Sequence, residues 1–173
     1  MRKRFSIALV AAIAAVVVAL PLAASAGDKE RLVLTERMQL TSFDPATGEG
    51  TQAGTFVAAG AVNDAGTSTA VFRVTPGKRG CGVQTGSHTF TGAGGTITVF
   101  TNAAFCPFPP PTPPRSFVRG KWRVVGASGG YAGLHGHGRI FATGDFITGQ
   151  ITIARDGEVG LGDGDGDDDD DDD

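Results

Sequence analysis

"GASGGYAGLHGHGR", residues 126–139, contains six glycines, the only tyrosine of the chain and two of its three histidines. A phosphate- or dinucleotide-binding loop needs glycines at fixed spacing between a strand and a helix, because backbone amides and the helix N-terminus hold the phosphate. These glycines lack that spacing, and they lead into alternating residues that are typical of a strand. The stretch therefore predicts a tight corner between two β-strands.

The segments on both sides of this corner also indicate strands. They are short, alternate with period two, are rich in Val, Ile, Thr and Phe, and are separated by turn sequences such as "NDAG" and "TGD". None shows a helical period. Eight strands are predicted, over residues 32–40, 55–62, 68–74, 82–91, 95–102, 115–125, 135–143 and 146–155.

Eight successive strands with short links favour antiparallel pairing of neighbours. An up-and-down barrel of calycin-like form closes such a sheet without free edges, and an open sandwich is the main alternative. The predicted fold class is all-β, an eight-stranded antiparallel up-and-down barrel. The residues expected to point inward include Phe72, Ile97, Trp122, Ile140 and Ile147.

The two ends of the chain differ from this body. Residues 1–26 combine a positive start, an apolar run and an A-x-A motif, which predict an export signal; a retained membrane anchor is the alternative. Residues 162–173 contain nine Asp and no apolar side chain, and predict a disordered acidic tail. The predicted domains are a signal (1–26), one barrel (27–161) and the tail (162–173), in a secreted protein with no membrane attachment after cleavage.

Charge is unevenly distributed along the chain. Of 15 basic residues three lie in the signal, and of 18 acidic residues nine lie in the tail, so the body has 12 basic against nine acidic residues. Clustered carboxylates repel phosphates, which argues against nucleic acid as a partner. The tail resembles a calcium-binding EF-hand loop only at Asp163, Asp165 and Asp167, so collective binding of divalent cations is its alternative role.

Cys81 and Cys106 are the only cysteines. An even count in an exported chain predicts one disulfide, and two separate thiols or intermolecular pairing are the alternatives. No C-x-x-C spacing indicates a redox or zinc site. His135 and His137 have the spacing of metal ligands, and His88 on the fourth strand is the third candidate. The alternation places His135 and His137 on the outer face, so we predict no metal site and no cofactor.

Two further segments carry unusual side chains. "FCPFPPPTPP", residues 105–114, predicts a rigid polyproline loop over one barrel end, with an SH3-type ligand as the alternative. The sixth strand places four cations on its outer face, where they form a basic stripe or protect the strand by charge. These cations are Arg115, Arg119, Lys121 and Arg123.

Glu36 shares a face of the first strand with Leu34 and Met38, so it is expected to point inward. There it is either desolvated in a cavity, which makes it a proton donor or acceptor, or solvated or ion-paired at the barrel mouth. We expect Trp122 and Tyr131 at a ligand pocket or at the corner after the sixth strand.

These motifs resemble a known family. "GGTITVF" (94–100) and "VVGASGGYAGLHGHGRI" (124–140) are similar to the glycine-rich strand and the G-x-Y-x-G turn of the allene oxide cyclase barrel and dirigent-like superfamily, which includes small secreted bacterial proteins. The resemblance implies an eight-stranded barrel with an axial pocket and a homo-oligomer, trimeric in the plant members. An inward set of acid, arginine and tyrosine, as used by the enzymes, is not visible in this sequence.

Three functions follow as hypotheses. The first is a non-catalytic binding or structural protein for a small apolar ligand or an envelope component. The second, carried by the resemblance, is an isomerase- or cyclase-like enzyme with Glu36 as acid or base. The third is a surface or cation-binding role of the acidic tail.

Overall fold

A computed structural model describes residues 29–78, 80–107 and 115–162. Within these ranges the chain forms eight strands that pair in sequence order and close into one antiparallel barrel. The predicted fold is therefore confirmed, and the open sandwich is excluded. The strands are β1 (Glu30–Asp44), β2 (Glu49–Gly60), β3 (Asp64–Pro76), β4 (Gly82–Gly92), β5 (Gly95–Pro107), β6 (Arg115–Gly129), β7 (Leu134–Asp145) and β8 (Gln150–Leu161).

Closure of the barrel depends on the pairing of the first and last strands. β1 and β8 run antiparallel, with Leu34 opposite Arg155 and Glu36 opposite Ile153. This pairing satisfies the backbone groups that two open sheet edges would leave exposed. It also brings residues from the two ends of the barrel sequence side by side in the interior.

The two ends of the barrel differ. At one end lie the connections from β1 to β2, β3 to β4, β5 to β6 and β7 to β8; we call it the open end because it surrounds a cavity. At the opposite end, the closed end, lie the turns from β2 to β3, β4 to β5 and β6 to β7.

Trp122 fills much of the closed half. Its side chain is 2% exposed and its indole Nε1 donates a hydrogen bond to the carbonyl of Arg139 at 3.0 Å. Gly157 makes room for it, because a Cβ at that position would lie 2.7 Å from Trp122 Cζ2. Leu32, Ile97 and other apolar side chains complete a close-packed core.

Tyr131 ties the turns of the closed end together. It lies in the turn between β6 and β7, and its hydroxyl donates to Asp64 Oδ2 at 2.6 Å. The same carboxylate accepts the backbone N–H of Gly94 at 3.1 Å, and a Cβ on Gly94 would collide with the tyrosine hydroxyl. Gly129 enters the turn at φ 67°, a left-handed conformation that favours glycine. The glycine-rich stretch is thus the corner that the sequence predicts.

A disulfide joins Cys81 to Cys106, as predicted. It links the chain just before β4 to the end of β5, at the open end of the barrel. With a sequence separation of 25, chain-entropy reasoning assigns this bond about 3 kcal/mol of stability. An intramolecular disulfide fits an oxidising compartment.

One sequence prediction is wrong in this region. Ile147 was expected inside the barrel within a strand over residues 146–155, but it is 75% exposed and β8 begins at Gln150. Asp145 explains the difference, because its Oδ1 accepts the N–H groups of Ile147 and Thr148 and so builds a turn. The other strands extend beyond their predicted limits at one or both ends.

Several expectations lie outside the described residues. They are the export signal (1–26), most of the polyproline loop (108–114) and the acidic tail from residue 163 onward. In the part of the chain that is described, no helix is long and apolar enough to cross a membrane.

Candidate functional site

The open half of the barrel contains a cavity of about 180 Å³. Its walls are mostly apolar and come from all eight strands, with Val118, Ile140, Ala142 and Ile153 among them. These residues occupy inward positions, where the period-two alternation of their strands places them. Side chains therefore fill the closed half of the barrel but leave the open half unfilled.

Aromatic side chains surround the entrance. Phe43 stacks on Phe72 with ring centroids 6.3 Å apart, and Phe105 meets Phe146 edge to face at 6.1 Å. All four rings line the cavity, and Phe43 and Phe146 are about half exposed. An exposed apolar rim next to an apolar cavity is typical of a binding site.

A buried polar cluster lies beneath the cavity. Glu36 is fully buried and forms an ion pair with Arg155 through its Oε1. Its Oε2 accepts a hydrogen bond from the Ser68 hydroxyl at 2.8 Å and lies 3.4 Å from His88 Nδ1. Of these four residues only His88 lines the cavity.

Arg155 is the cation of this cluster. Burial lowers its pKa to about 9, so the guanidinium stays charged at neutral pH. Its central carbon lies 5.4 Å from the centroid of the Phe90 ring, within the range of a cation–π contact. Its Nε and Nη2 have no hydrogen-bond acceptor among the described residues. Glu36 is therefore the only anion that the described residues place against this charge.

His88 connects the cluster to the cavity. Its ring is 1% exposed, and burial lowers its pKa to about 4, so it is neutral at pH 7. Because Nδ1 faces the Glu36 carboxylate, Nε2 is the nitrogen left for other contacts. The ring is thus held in place from below and forms part of the cavity floor.

Other polar groups lie on the cavity wall. Gln52, Gln84 and Ser116 line it, and each is less than 9% exposed. The Gln52 side-chain oxygen is buried without a hydrogen-bond partner among the described residues. A buried acceptor without a donor costs free energy.

The site residues expected from the sequence take different places. Glu36 points into the barrel as expected, but beneath the cavity. Trp122 packs in the closed half and is not among the described residues that line the cavity, whereas Tyr131 lies in the turn. His135 and His137 are exposed on β7, away from the buried His88.

Sequence reasoning missed Arg155, and it considered His88 only as a metal ligand and not as a neighbour of Glu36. Arg155 lies two and four residues from the inward Ile153 and Ile151, and His88 lies two residues from the inward Phe90. Alternate residues of a strand face the same side, so both side chains are expected to point inward. The alternation of these strands therefore contained the signal for the buried Glu36–Arg155 pair. The tyrosine of the enzymes' set has no counterpart beside this pair, because Tyr131, the only tyrosine, lies in the turn between β6 and β7. The exposed cations of β6 were placed correctly: Arg115, Arg119, Lys121 and Arg123 all lie outside.

The described residues contain no group of three His, Cys, Asp or Glu side chains arranged to hold a metal ion. Fold and site together define a closed eight-stranded β-barrel with an apolar cavity at one end and a buried Glu–Arg–His–Ser cluster beneath it. No family model, curated protein or solved structure matches the chain.

Proposed function

We propose that this protein binds a small apolar ligand in the cavity at the open end of its barrel. The observation that carries the proposal is the contrast between the two halves of the interior. The closed half is packed around Trp122, whereas the open half leaves about 180 Å³ between apolar walls. A bound apolar ligand would fill this space and give the wall side chains the van der Waals contacts that they lack.

The cavity volume limits the size of the ligand. A buried apolar cavity of about 150 Å³ accepts a benzene molecule. The cavity of this barrel, at about 180 Å³, suits one six-membered ring with a small substituent. It also suits the apolar end of a longer molecule whose remainder extends out between the aromatic side chains of the rim. A component of the cell envelope is one example of such a longer ligand.

The proposal includes an extracytoplasmic location. The predicted signal and the disulfide between Cys81 and Cys106 support it. Membership of the allene oxide cyclase-like and dirigent-like superfamily, and the homo-oligomer that it implies, stay predictions.

Catalysis by Glu36 is the second proposal, and one observation favours it. His88 lines the cavity, and its Nδ1 faces the Glu36 carboxylate. The His88 side chain could therefore carry a proton between this carboxylate and a ligand in the cavity. Against it, Glu36 already contacts Arg155, Ser68 and His88 and does not itself line the cavity. These contacts favour binding over proton transfer.

Toluene is a suitable first probe because it has the size of the cavity and no charge. We expect saturable binding of toluene to the wild-type protein in saturation-transfer NMR and calorimetry. Ala142→Leu adds three carbons to the cavity wall and should abolish binding. Ala154→Leu is the matched control, because Ala154 lies exposed on the outside of β8.

Failure of toluene to bind the wild-type protein would refute the proposal. Equal binding by the Ala142→Leu variant would also refute it, because the ligand would then occupy another part of the molecule. Loss of binding in both variants would show that the substitutions disturb the fold. Thermal unfolding checks this, and we expect the Ala154→Leu control to unfold at the same Tm as the wild type.

A further inference from the structure

We infer that the ligand carries a hydroxyl group, and that this group donates a hydrogen bond to Nε2 of His88 at the floor of the cavity. The inference rests on the proposed binding function and specifies the chemistry of the ligand. It names an alcohol or a phenol as the ligand class, and it excludes a carboxylate.

The Glu36 carboxylate beneath the cavity is ionised. Arg155 is paired with it through Oε1, and an opposite charge at contact distance favours the ionised acid. An ionised carboxylate accepts hydrogen bonds and donates none. The neighbouring groups at Oε2 must therefore be donors, as the Ser68 hydroxyl is.

The proton of the neutral His88 ring lies on Nδ1. Its Nδ1 lies 3.4 Å from Glu36 Oε2, so a neutral ring in this place carries its proton on Nδ1. Nε2 is then a lone-pair acceptor. A ligand that reaches the floor must bring a donor to satisfy it, and an uncharged hydroxyl does so.

The cavity floor offers no positive charge to a ligand. The floor presents a neutral imidazole whose far side contacts a carboxylate, and the cation of Arg155 does not line the cavity. An anionic ligand would thus lose its hydration without meeting a positive charge. The same charge distribution accepts a neutral donor.

A second acceptor lies beside the first. Gln52, on β2, is paired with Ala70 on β3, and Ala70 is paired with His88 on β4, so the three residues form one row around the barrel. The Gln52 side-chain oxygen is buried and without a donor among the described residues. Ala70 therefore places only a methyl group between the His88 and Gln52 side chains.

Phenol, toluene and benzoate test this inference on the intact protein. They share one ring and differ in the group attached to it. Hydration of the free probes differs, so the quantity to compare is the ratio of phenol affinity to toluene affinity in each protein. We expect His88→Phe to lower this ratio about tenfold, in the range of one lost hydrogen bond to a buried acceptor. Benzoate should show no saturable binding to the wild-type protein.

Tyr131→Phe is the control variant, because it removes a hydroxyl at the closed end and should leave the ratio unchanged. A second measurement needs no variant. Two-dimensional ¹H–¹⁵N NMR of the wild-type imidazole should show the proton on Nδ1, and phenol but not toluene should shift the Nε2 resonance.

The outcomes separate the two proposals. If toluene binds but the ratio is the same in wild type and His88→Phe, the hydroxyl inference is wrong and the binding function stands. A proton found on Nε2, or benzoate as the tightest probe, would also overturn the inference. If none of the three probes binds, the binding function itself fails.

Discussion

Glu36→Gln tests whether the buried ion pair stabilises the barrel through its charge. The substitution keeps the size of the side chain and one acceptor oxygen, but leaves Arg155 as a buried cation without an anion. Both side chains are about 1% exposed or less. Removing one partner of such a pair typically costs 3–5 kcal/mol, because the remaining charge stays desolvated. For a domain of this size that loss lowers Tm by roughly 10–15 °C.

Urea unfolding followed by tryptophan fluorescence measures this loss directly. Trp122 is the only tryptophan and is 2% exposed, so its emission reports the closed half of the barrel. Asp156→Asn is the matched control, because Asp156 pairs with Arg31 at the surface, where both side chains are more than half exposed. That variant should unfold almost as the wild type does.

A double variant separates charge from shape. Arg155→Met in the Glu36→Gln background replaces the unpaired cation by an apolar chain of similar length that still packs on Phe90. We expect it to recover most of the lost stability, because removal of both charges ends the desolvation cost. A Glu36→Gln loss below about 1 kcal/mol, or a double variant no more stable than the single one, would refute the reasoning.

Two further predictions concern other residues. Burial lowers the pKa of His88 to about 4 from its ordinary value of 6.5. The unfolded chain therefore binds this proton first, and stability falls as pH drops from 6.5 to 4, by about 3 kcal/mol in all. Urea titrations across this range should show a flatter profile for His88→Gln, and parallel profiles would contradict the assignment. Tyr131→Phe removes the hydrogen bond to Asp64 and should lower the free energy of unfolding by about 1 kcal/mol at this partly exposed site, as measured by urea unfolding. Toluene affinity should stay unchanged. A loss of toluene affinity would show that the two ends of the barrel are coupled.

The buried cluster has a bearing on function as well as on stability. A well-packed apolar replacement for a buried ion pair is often as stable as the pair itself, so stability alone does not explain why Glu36 and Arg155 lie in this barrel. Their position beneath the cavity offers a reason. The pair holds the His88 ring with one nitrogen toward Glu36, and so sets which nitrogen the cavity presents.

The sequence by itself determined the strands, their order and the inward direction of most side chains. Alternation with period two is a local property, so it can be read from residues 95–102 or 115–125 without knowledge of their partners. The same is true of the glycine-rich corner, where spacing excludes a phosphate loop. Ile147 is the exception, because the hydrogen bonds of the Asp145 side chain stop the alternation and turn the chain.

Only the tertiary structure decided which inward residues meet. Glu36 and Arg155 lie near opposite ends of the barrel sequence, and they touch because β1 pairs with β8 when the sheet closes. Ser68 and His88 join them from β3 and β4, across the interior. The alternation of each strand places these side chains inside the barrel. Their contacts, and the cavity above them, depend on how all eight strands pack together, and no local sequence pattern contains that information.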